Sequence, residues 1–292
     1  MVDPASAGTR RASRDGDYPP APEPLRTPVL DSHCHLDIST DDAAMTVDDA
    51  LSAARAVGVT RLVQIGCDLP SARWSVEVAR RHPDIDAGVA LHPNEAPRIA
   101  AKDGAAALEA AYAEIDALAA DPAVRAIGET GMDFFRTGDD GRVVQEESFR
   151  RHIAMAKQHG KALVIHDRDS HDAVLRILAD AGAPDRVVFH CFSGDAQMAR
   201  ACVGQGWVLS FAGTITFKNA DPLREALGVT PLDQLLVETD APFLTPTPHR
   251  GRPNASFLIP LTLRAMAAVK GVDEDELAAA IWATGDRMFG PI

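Results

Sequence analysis

The stretch VLDSHCHLDISTDDAAMTVDDALSAARAVGVTRLVQI, residues 29–65, holds one complete repeat of the fold. It opens on a short strand-forming run, Val29–Asp31, and closes on a second, Arg61–Ile65. Between them Val47, Ala50, Leu51, Ala54 and Val57 recur close to every 3.6 residues, which predicts an amphipathic helix. Gly58 follows where that helix must stop, ready for a left-handed cap.

The alternation continues outward. Further strands are predicted at Ile85–Val89, Val124–Gly128, Ala162–Ile165, Val187–Phe189, Trp207–Ser210 and Leu235–Glu238. Helical patterns lie between them. Over Val143–His159 the residues Phe149, Ile153 and Ala156 share a face, and Glu146 stands four residues before Arg150. Ala173–Leu178 follows the same pattern, with Gly160 and Gly182 as helix stops. Asp121-Pro122 breaks an alanine-rich helix, and Asp221-Pro222 reads as an N-cap with proline in the first turn. Strands alternating with helices give parallel β structure, either a closed barrel or an open doubly wound sheet. Neither a G-x-G-x-x-G nor a phosphate-loop motif follows the first strand, so the open sheet loses its usual nucleotide-binding support. The expected fold is therefore α/β, a (β/α)8 TIM barrel over residues 28–292, with a last helix at Glu274–Phe289 beyond the eighth unit and packed outside it.

Residues 1–27 differ from the rest. They carry Pro19, Pro20, Pro22 and Pro24 without a periodic apolar face, and are expected to form a disordered extension. They lack the apolar core of a secretory signal. Cys34, Cys67, Cys191 and Cys202 form no C-x-x-C pair, which fits a reducing, cytoplasmic setting rather than a disulfide framework. No apolar run reaches the roughly 18 residues of a membrane span, and nothing in the chain calls for an obligate protein partner. The formal charge of −13 argues against a basic coat, so any nucleic-acid chemistry must depend on a local site.

Catalytic groups of such barrels project from the C-terminal strand ends. His33 and His35 end the first predicted strand, His92 follows the third, and Glu129 ends the fourth. His166 ends the fifth, His190 the sixth and Asp240 the eighth. Five of the 10 histidines thus fall at strand ends, more than an even spread would put there. On a strand, residues i and i+2 share a face, so His33 and His35 can meet one ion while Cys34 faces away as a small buried hydrophobe. Glu129, after an apolar run, is an expensive buried charge unless it is paired or metal-bound, and Asp240 raises the same question. Glu238 lies on the other phase of its strand and reads as an ion-pair or helix-facing group. His82, His152 and His159 read as packing or surface residues and His171 as a cap or support. His249 sits in a proline-rich loop within reach of a substrate.

The motifs become specific when read together. Asp-Ser-His-Cys-His-Leu-Asp (31–37), Ala-Leu-His-Pro (90–93), Ile-Gly-Glu-Thr-Gly-Met-Asp-Phe (127–134) and Val-Ile-His-Asp-Arg (164–168) occur in order. His-Cys-Phe-Ser-Gly (190–194), Ser-Phe-Ala-Gly-Thr-Ile-Thr-Phe-Lys (210–218) and Glu-Thr-Asp-Ala-Pro-Phe-Leu (238–244) complete the series. This set resembles the TatD family of metal-dependent deoxyribonucleases, within the amidohydrolase superfamily. The resemblance implies two divalent metal ions. His33, His35, Glu129 and Asp240 would surround the first, and Glu129 would bridge to a second held by His166 and His190. It also implies a DNA substrate, with His92 near it, Arg168 on a phosphate oxygen and Ser193 as a further contact. Asp240, Glu129 and His92 would carry the catalysis.

Four histidines favour zinc or manganese over magnesium, although the family's nucleases are usually described as magnesium-dependent. A second enzymatic reading is hydrolysis of a small-molecule amide, lactone or phosphoester by the same centre. A groove lined by Arg168, Lys218 and Arg250 would favour the nuclease, and a closed apolar pocket the alternative. A non-catalytic metal-binding scaffold is the third reading, disfavoured because a structural zinc site closes with four ligands and needs neither a bridging carboxylate nor an open mouth.

Overall fold

Residues 17–38 and 45–291 are described by the computed structural model of the chain. In chain order the first half comprises β1 (Val29–Cys34), α1 (Val47–Ala56), β2 (Val59–Gly66), α2 (Leu69–Arg81), β3 (Ile85–Val89), α3 (Glu95–Asp103), α4 (Ala105–Ala119) and β4 (Val124–Asp133). The second half continues with α5 (Asp139–His159), β5 (Ala162–Arg168), α6 (His171–Ala181), β6 (Val187–Phe189), α7 (Ala196–Gly204), β7 (Val208–Phe211), α8 (Asp221–Val229) and β8 (Leu235–Val237). Two helices, α9 (Ile259–Lys270) and α10 (Glu274–Phe289), complete the chain.

The eight strands lie in one parallel sheet in sequence order. The sheet curls until its ends meet: the Asp240 amide donates to the His33 carbonyl, and the His35 amide to the Ala241 carbonyl, both at 2.9 Å. This is a (β/α)8 barrel. Its strands are buried apolar runs, as parallel strands covered by helices must be. Each fully buried Val, Leu or Ile there contributes about 1.5–3 kcal/mol.

Strand β4 runs to Asp133, five residues past the predicted end at Gly128. Its pairing with β5 reaches Asp133 opposite Arg168, with one irregularity between Ile127 and Thr130, around Glu129. Close approach makes the pairing possible. A Cβ on Gly128 would lie 2.5 Å from the Val164 side chain, and one on Gly131 2.1 Å from the His166 carbonyl oxygen. Only glycine lets β4 come this near to β5.

Helix α10 packs against β1 and β8 and so covers the seam where the barrel closes. Its inner face buries Leu277, Ile281, Met288 and Phe289, and a Cβ on Gly285 would meet Leu30 at 2.7 Å. The helix expected beyond the eighth unit is thus the cover of that seam. Asp221 is the first residue inside α8 rather than its cap, and Ala220 takes the capping position. Gly160 caps α5 in the left-handed conformation, as expected.

Of the extension expected to be disordered over residues 1–27, residues 1–16 lie outside the described residues. Residues 17–27 run along the barrel. Leu25 is buried and its amide donates to the Val57 carbonyl at 3.0 Å. Arg252 donates to the Tyr18 carbonyl, Arg264 to that of Glu23, and the Tyr18 ring meets Phe257 edge-on. Apart from Val57, the groups that hold this segment come from the far end of the chain, so its local composition gives no sign of them. No helix among the described residues is long and apolar enough to cross a membrane.

Candidate metal centre

Glu129 is the hub. It is buried, and its Oε2 lies 2.7 Å from His190 Nε2, 3.5 Å from His166 Nδ1 and 3.6 Å from His33 Nε2. Its Oε1 lies 3.4 Å from His92 Nε2. Burial pushes its pKa up, but the charges of His190 and His92 and the contacts with His166 and His190 hold it well below the carboxylate range. The strand-end rule therefore gathers five histidines from β1, β3, β5 and β6 around one carboxylate on β4.

The β1 side is fixed by its hydrogen bonds. His35 Nδ1 donates to the Ile65 carbonyl at 2.9 Å, since a carbonyl can only accept. In the neutral ring that would bind a metal, His35 Nε2 is then the atom that carries the lone pair. It lies 3.3 Å from His33 Nε2 and 3.3 Å from Asp240 Oδ1, with His33 Nε2 3.9 Å from the same oxygen. Cys34 points the other way, its Sγ 3.6 Å from the Val63 carbonyl. Asp31 holds Asp240 in register from beneath. It accepts from the Thr239 amide at 2.9 Å and the Thr239 hydroxyl at 2.6 Å, and burial raises its pKa to about 6.

On the β6 side, His190 Nδ1 lies 3.1 Å from Glu238 Oε1, which also accepts from the Cys191 amide at 2.8 Å. Glu238 is the ion-pair residue expected from its strand phase. Its contact turns His190 Nε2 towards Glu129 and fixes the orientation of the ring. Burial disfavours the His190 charge, yet Glu129 and Glu238 raise its pKa well above the ordinary value. Its ring stacks on His33, centroids 3.8 Å apart, and burial together with His190 holds His33 well below its ordinary pKa. His35 is pushed up to about 9, because the hydrogen bond and charge of Asp240 overcome burial.

Two neighbours were not among the residues predicted from sequence. Asp133, at the end of β4, puts Oδ2 3.4 Å from His166 Nε2 and accepts from the Asn94 side-chain amide at 2.9 Å. Burial raises its pKa, but His166, Asn94 and the Arg136 amide overcome this and lower it. Cys67, just past β2, places Sγ 3.4 Å from Glu129 Oε1. The strand-end rule would have found Cys67, and the i, i+4 relation to Glu129 on a longer β4 would have found Asp133. His166 groups with His92 and Asp133 as well as with Glu129. Arg168 and Ser193 lie apart from the cluster: the Arg168 guanidinium sits 4.0 Å over the Phe135 ring, and Ser193 Oγ donates to the Asp167 carbonyl at 3.1 Å.

The donors fit divalent ions. Ligands held about 2.1 Å from one tetrahedral ion lie about 3.4 Å from each other, close to the 3.3–3.9 Å separations among His33, His35 and Asp240 and to the 3.6 Å between His33 and Glu129. Glu129 Oε2 and His166 Nε2 are buried with charged neighbours at ion-pair distance but no aligned hydrogen bond. The field that raises the pKa values of His190 and His35 would favour a metal cation in place of protons.

A model of the TatD-related DNase family matches residues 30–290. A metal-dependent hydrolase named TatD from Mycobacterium tuberculosis, described as uncharacterized, is 44% identical over 90% of this chain and 98% of its own length. The metal-dependent hydrolase YabD of Bacillus subtilis, described in the same way, is 34% identical over 89% of this chain and 98% of its own. Among solved structures, the TatD homologue YJJV from Escherichia coli superposes with a TM-score of 0.81 at 24% identity, covering 90% of this chain and 98% of that one.

Proposed function

This chain belongs to the TatD-related DNase family of metal-dependent hydrolases, and from that membership we propose that it hydrolyses phosphodiesters at DNA ends through a two-metal centre. The observation that carries the reading is the buried Glu129 carboxylate in reach of imidazoles from four strands, with donor spacings suited to ions. His33, His35 and Asp240 with Glu129 would hold one ion, and Glu129 with His166 and His190 the other. When bound, divalent ions acidify water and neutralise phosphoryl charge.

The remaining roles fall to the chain itself. Asp240 orients the attacking water and takes its proton as the new P–O bond forms. His92, within 3.4 Å of Glu129, gives a proton to the leaving oxygen as the old P–O bond breaks. Arg168 grips a non-bridging oxygen with its planar fork, and Ser193 adds a lesser contact from the next loop. Further cations that support a nuclease are Lys218, which is exposed, and Arg250, which stacks 4.0 Å over Phe217 as Arg168 does over Phe135.

Hydrolysis of a small-molecule ester is the second reading, favoured by the apolar residues of the cleft beside the centre. The deciding experiment strips the protein of metal, reloads it separately with magnesium, manganese or zinc, and follows single-stranded DNA and bis(4-nitrophenyl) phosphate. Metal-restored DNA cleavage that disappears in Asp240→Asn is expected. Turnover of the small ester alone would move the substrate to a small molecule, and turnover of neither by metal-loaded protein would overturn the phosphodiesterase reading.

A further inference from the structure

Strands β5 and β6 carry the chain to His166 and His190 at one end of the barrel, and begin at its other end beside a cleft of about 280 Å³. Lys161 and Arg186, the residues directly before these strands, line it with Lys157 from the last turn of α5. Asp185, Ala183 and Pro184 complete that wall. From Ala162 to His166 the strand rises about 13 Å, at about 3.3 Å per residue, so no small ligand spans this cleft and the metal centre. Three cations against one carboxylate give the lining a net charge of +2 in a chain of −13.

Elsewhere on the surface arginines meet acids, as Arg73 does Glu114, Arg151 Glu109 and Arg176 Glu146. Among the described residues, Lys157, Lys161 and Arg186 form no ion pair. They are tied to backbone carbonyls instead. Lys157 Nζ donates to Ala181 at 2.7 Å and Lys161 Nζ to Val124 at 2.6 Å, while Arg186 donates to Gly160 and, at 2.9 Å, to Met288. An ammonium has three N–H groups and a guanidinium five, so each keeps donors for a ligand. Cations already held in place lose little freedom when one binds. Burial, and then the charges of Arg125 and Arg186, lower the pKa of Lys161 against the pull of Asp121, so the cluster lacks negative charge. We propose that this cleft binds a phosphate group, either inorganic phosphate or the phosphate of a small phosphomonoester. Such a group carries about −1.5 to −2 at neutral pH, which matches the lining, and its oxygens can meet several donors at once. The cleft is smaller than the roughly 300–1,000 Å³ of most ligand pockets, which suits a compact anion. The site is separate from the reaction proposed for the metal centre and does not depend on it.

Lys157 and Asp185 are exposed, so Lys157→Glu and Asp185→Asn change the charge of the cleft without entering the core. Equilibrium dialysis of the metal-stripped full chain against inorganic phosphate, in buffer of low chloride, measures the binding. Glycerol 3-phosphate is titrated in parallel, and the melting temperature without phosphate checks that each variant folds. Saturable binding of one phosphate is expected, weakened about tenfold by Lys157→Glu and tightened about two- to fivefold by Asp185→Asn. A purely structural lysine would not give these opposite signs. Glycerol 3-phosphate binding as tightly as the free ion would assign the site to phosphomonoesters, and its exclusion would assign it to inorganic phosphate. Asp240→Asn is expected to leave the affinity unchanged. Absence of saturable binding into the millimolar range would overturn the site. So would binding that ignores Lys157→Glu and tightens in Asp240→Asn, since that ion would lie at the metal centre.

Discussion

Asp133 holds His166 at 3.4 Å and is itself held by Asn94 and the Arg136 amide, so it sets the direction of one histidine of the cluster. A carboxylate in that position raises the ligand strength of an imidazole and locks its ring. Asp133→Asn keeps the shape and removes the charge. It should weaken metal retention by about 10–100-fold in chelator competition, and unchanged retention would remove Asp133 from the centre. His152 offers a separate measurement. It is fully buried, donates through Nδ1 to the Ser148 carbonyl and accepts the Leu91 amide at Nε2, next to His92. Burial lowers its pKa to about 4 from 6.5. The folded state therefore binds fewer protons here than the unfolded chain between those values. The stability from neutral His152 is complete above about pH 6.5 and is lost as pH falls towards 4, on the order of 2–3 kcal/mol in all. The wild-type-minus-His152→Gln difference in unfolding free energy should fall across that window, and a flat difference from pH 7 to 4.5 would contradict it.

At the scale of elements, β4 shows why local sequence understates a strand. After Gly128 the chain reads Glu-Thr-Gly-Met-Asp, with glycine and acids that strands disfavour. Pairing with β5 carries the strand on to Asp133 nonetheless, because the ladder bonds and the close Gly131–His166 approach come from the neighbour. The opposite end of the barrel is held by a charge cluster inside the fold. Arg61 on β2 is 1% exposed and bonds Asp86 on β3 at 2.6 Å, Asp286 on α10 at 3.0 Å and the Gly290 carbonyl at 2.7 Å. It thereby ties the seam-covering helix to two strands. Removing one partner of a buried pair leaves the other charge without compensation, so Arg61→Ala should cost about 3–5 kcal/mol in denaturant unfolding. The double variant Arg61→Met with Asp86→Leu should recover much of that loss. A single-variant cost under about 1 kcal/mol would show that water replaces the guanidinium.

For the whole molecule, the acidic total and the local cations set how it would meet an anionic polymer. With Arg168, Lys218 and Arg250 as the phosphate contacts, the logarithm of DNA affinity should fall with that of salt at a slope of about −2. A slope several times steeper would require a basic surface that a chain of net charge −13 does not supply. The sequence by itself determined the barrel, because its periodicities are local: Val29–Asp31, Val47–Val57 and Arg61–Ile65 each report strand or helix within a few residues. It also determined that His33, His35, His92, Glu129, His166, His190 and Asp240 would share one rim, since parallel strands all end on the same side. Only the tertiary structure decided which donors touch. Glu129 meets His190 at 2.7 Å, Asp133 joins His166, Cys67 reaches Glu129, and residues 17–27 lie pinned to Val57, Arg252 and Arg264. Those contacts join residues far apart in the chain, and depend on strand register and ring closure. Neither is written in any single segment, because register is a relation between two strands and closure a relation between the first and the last.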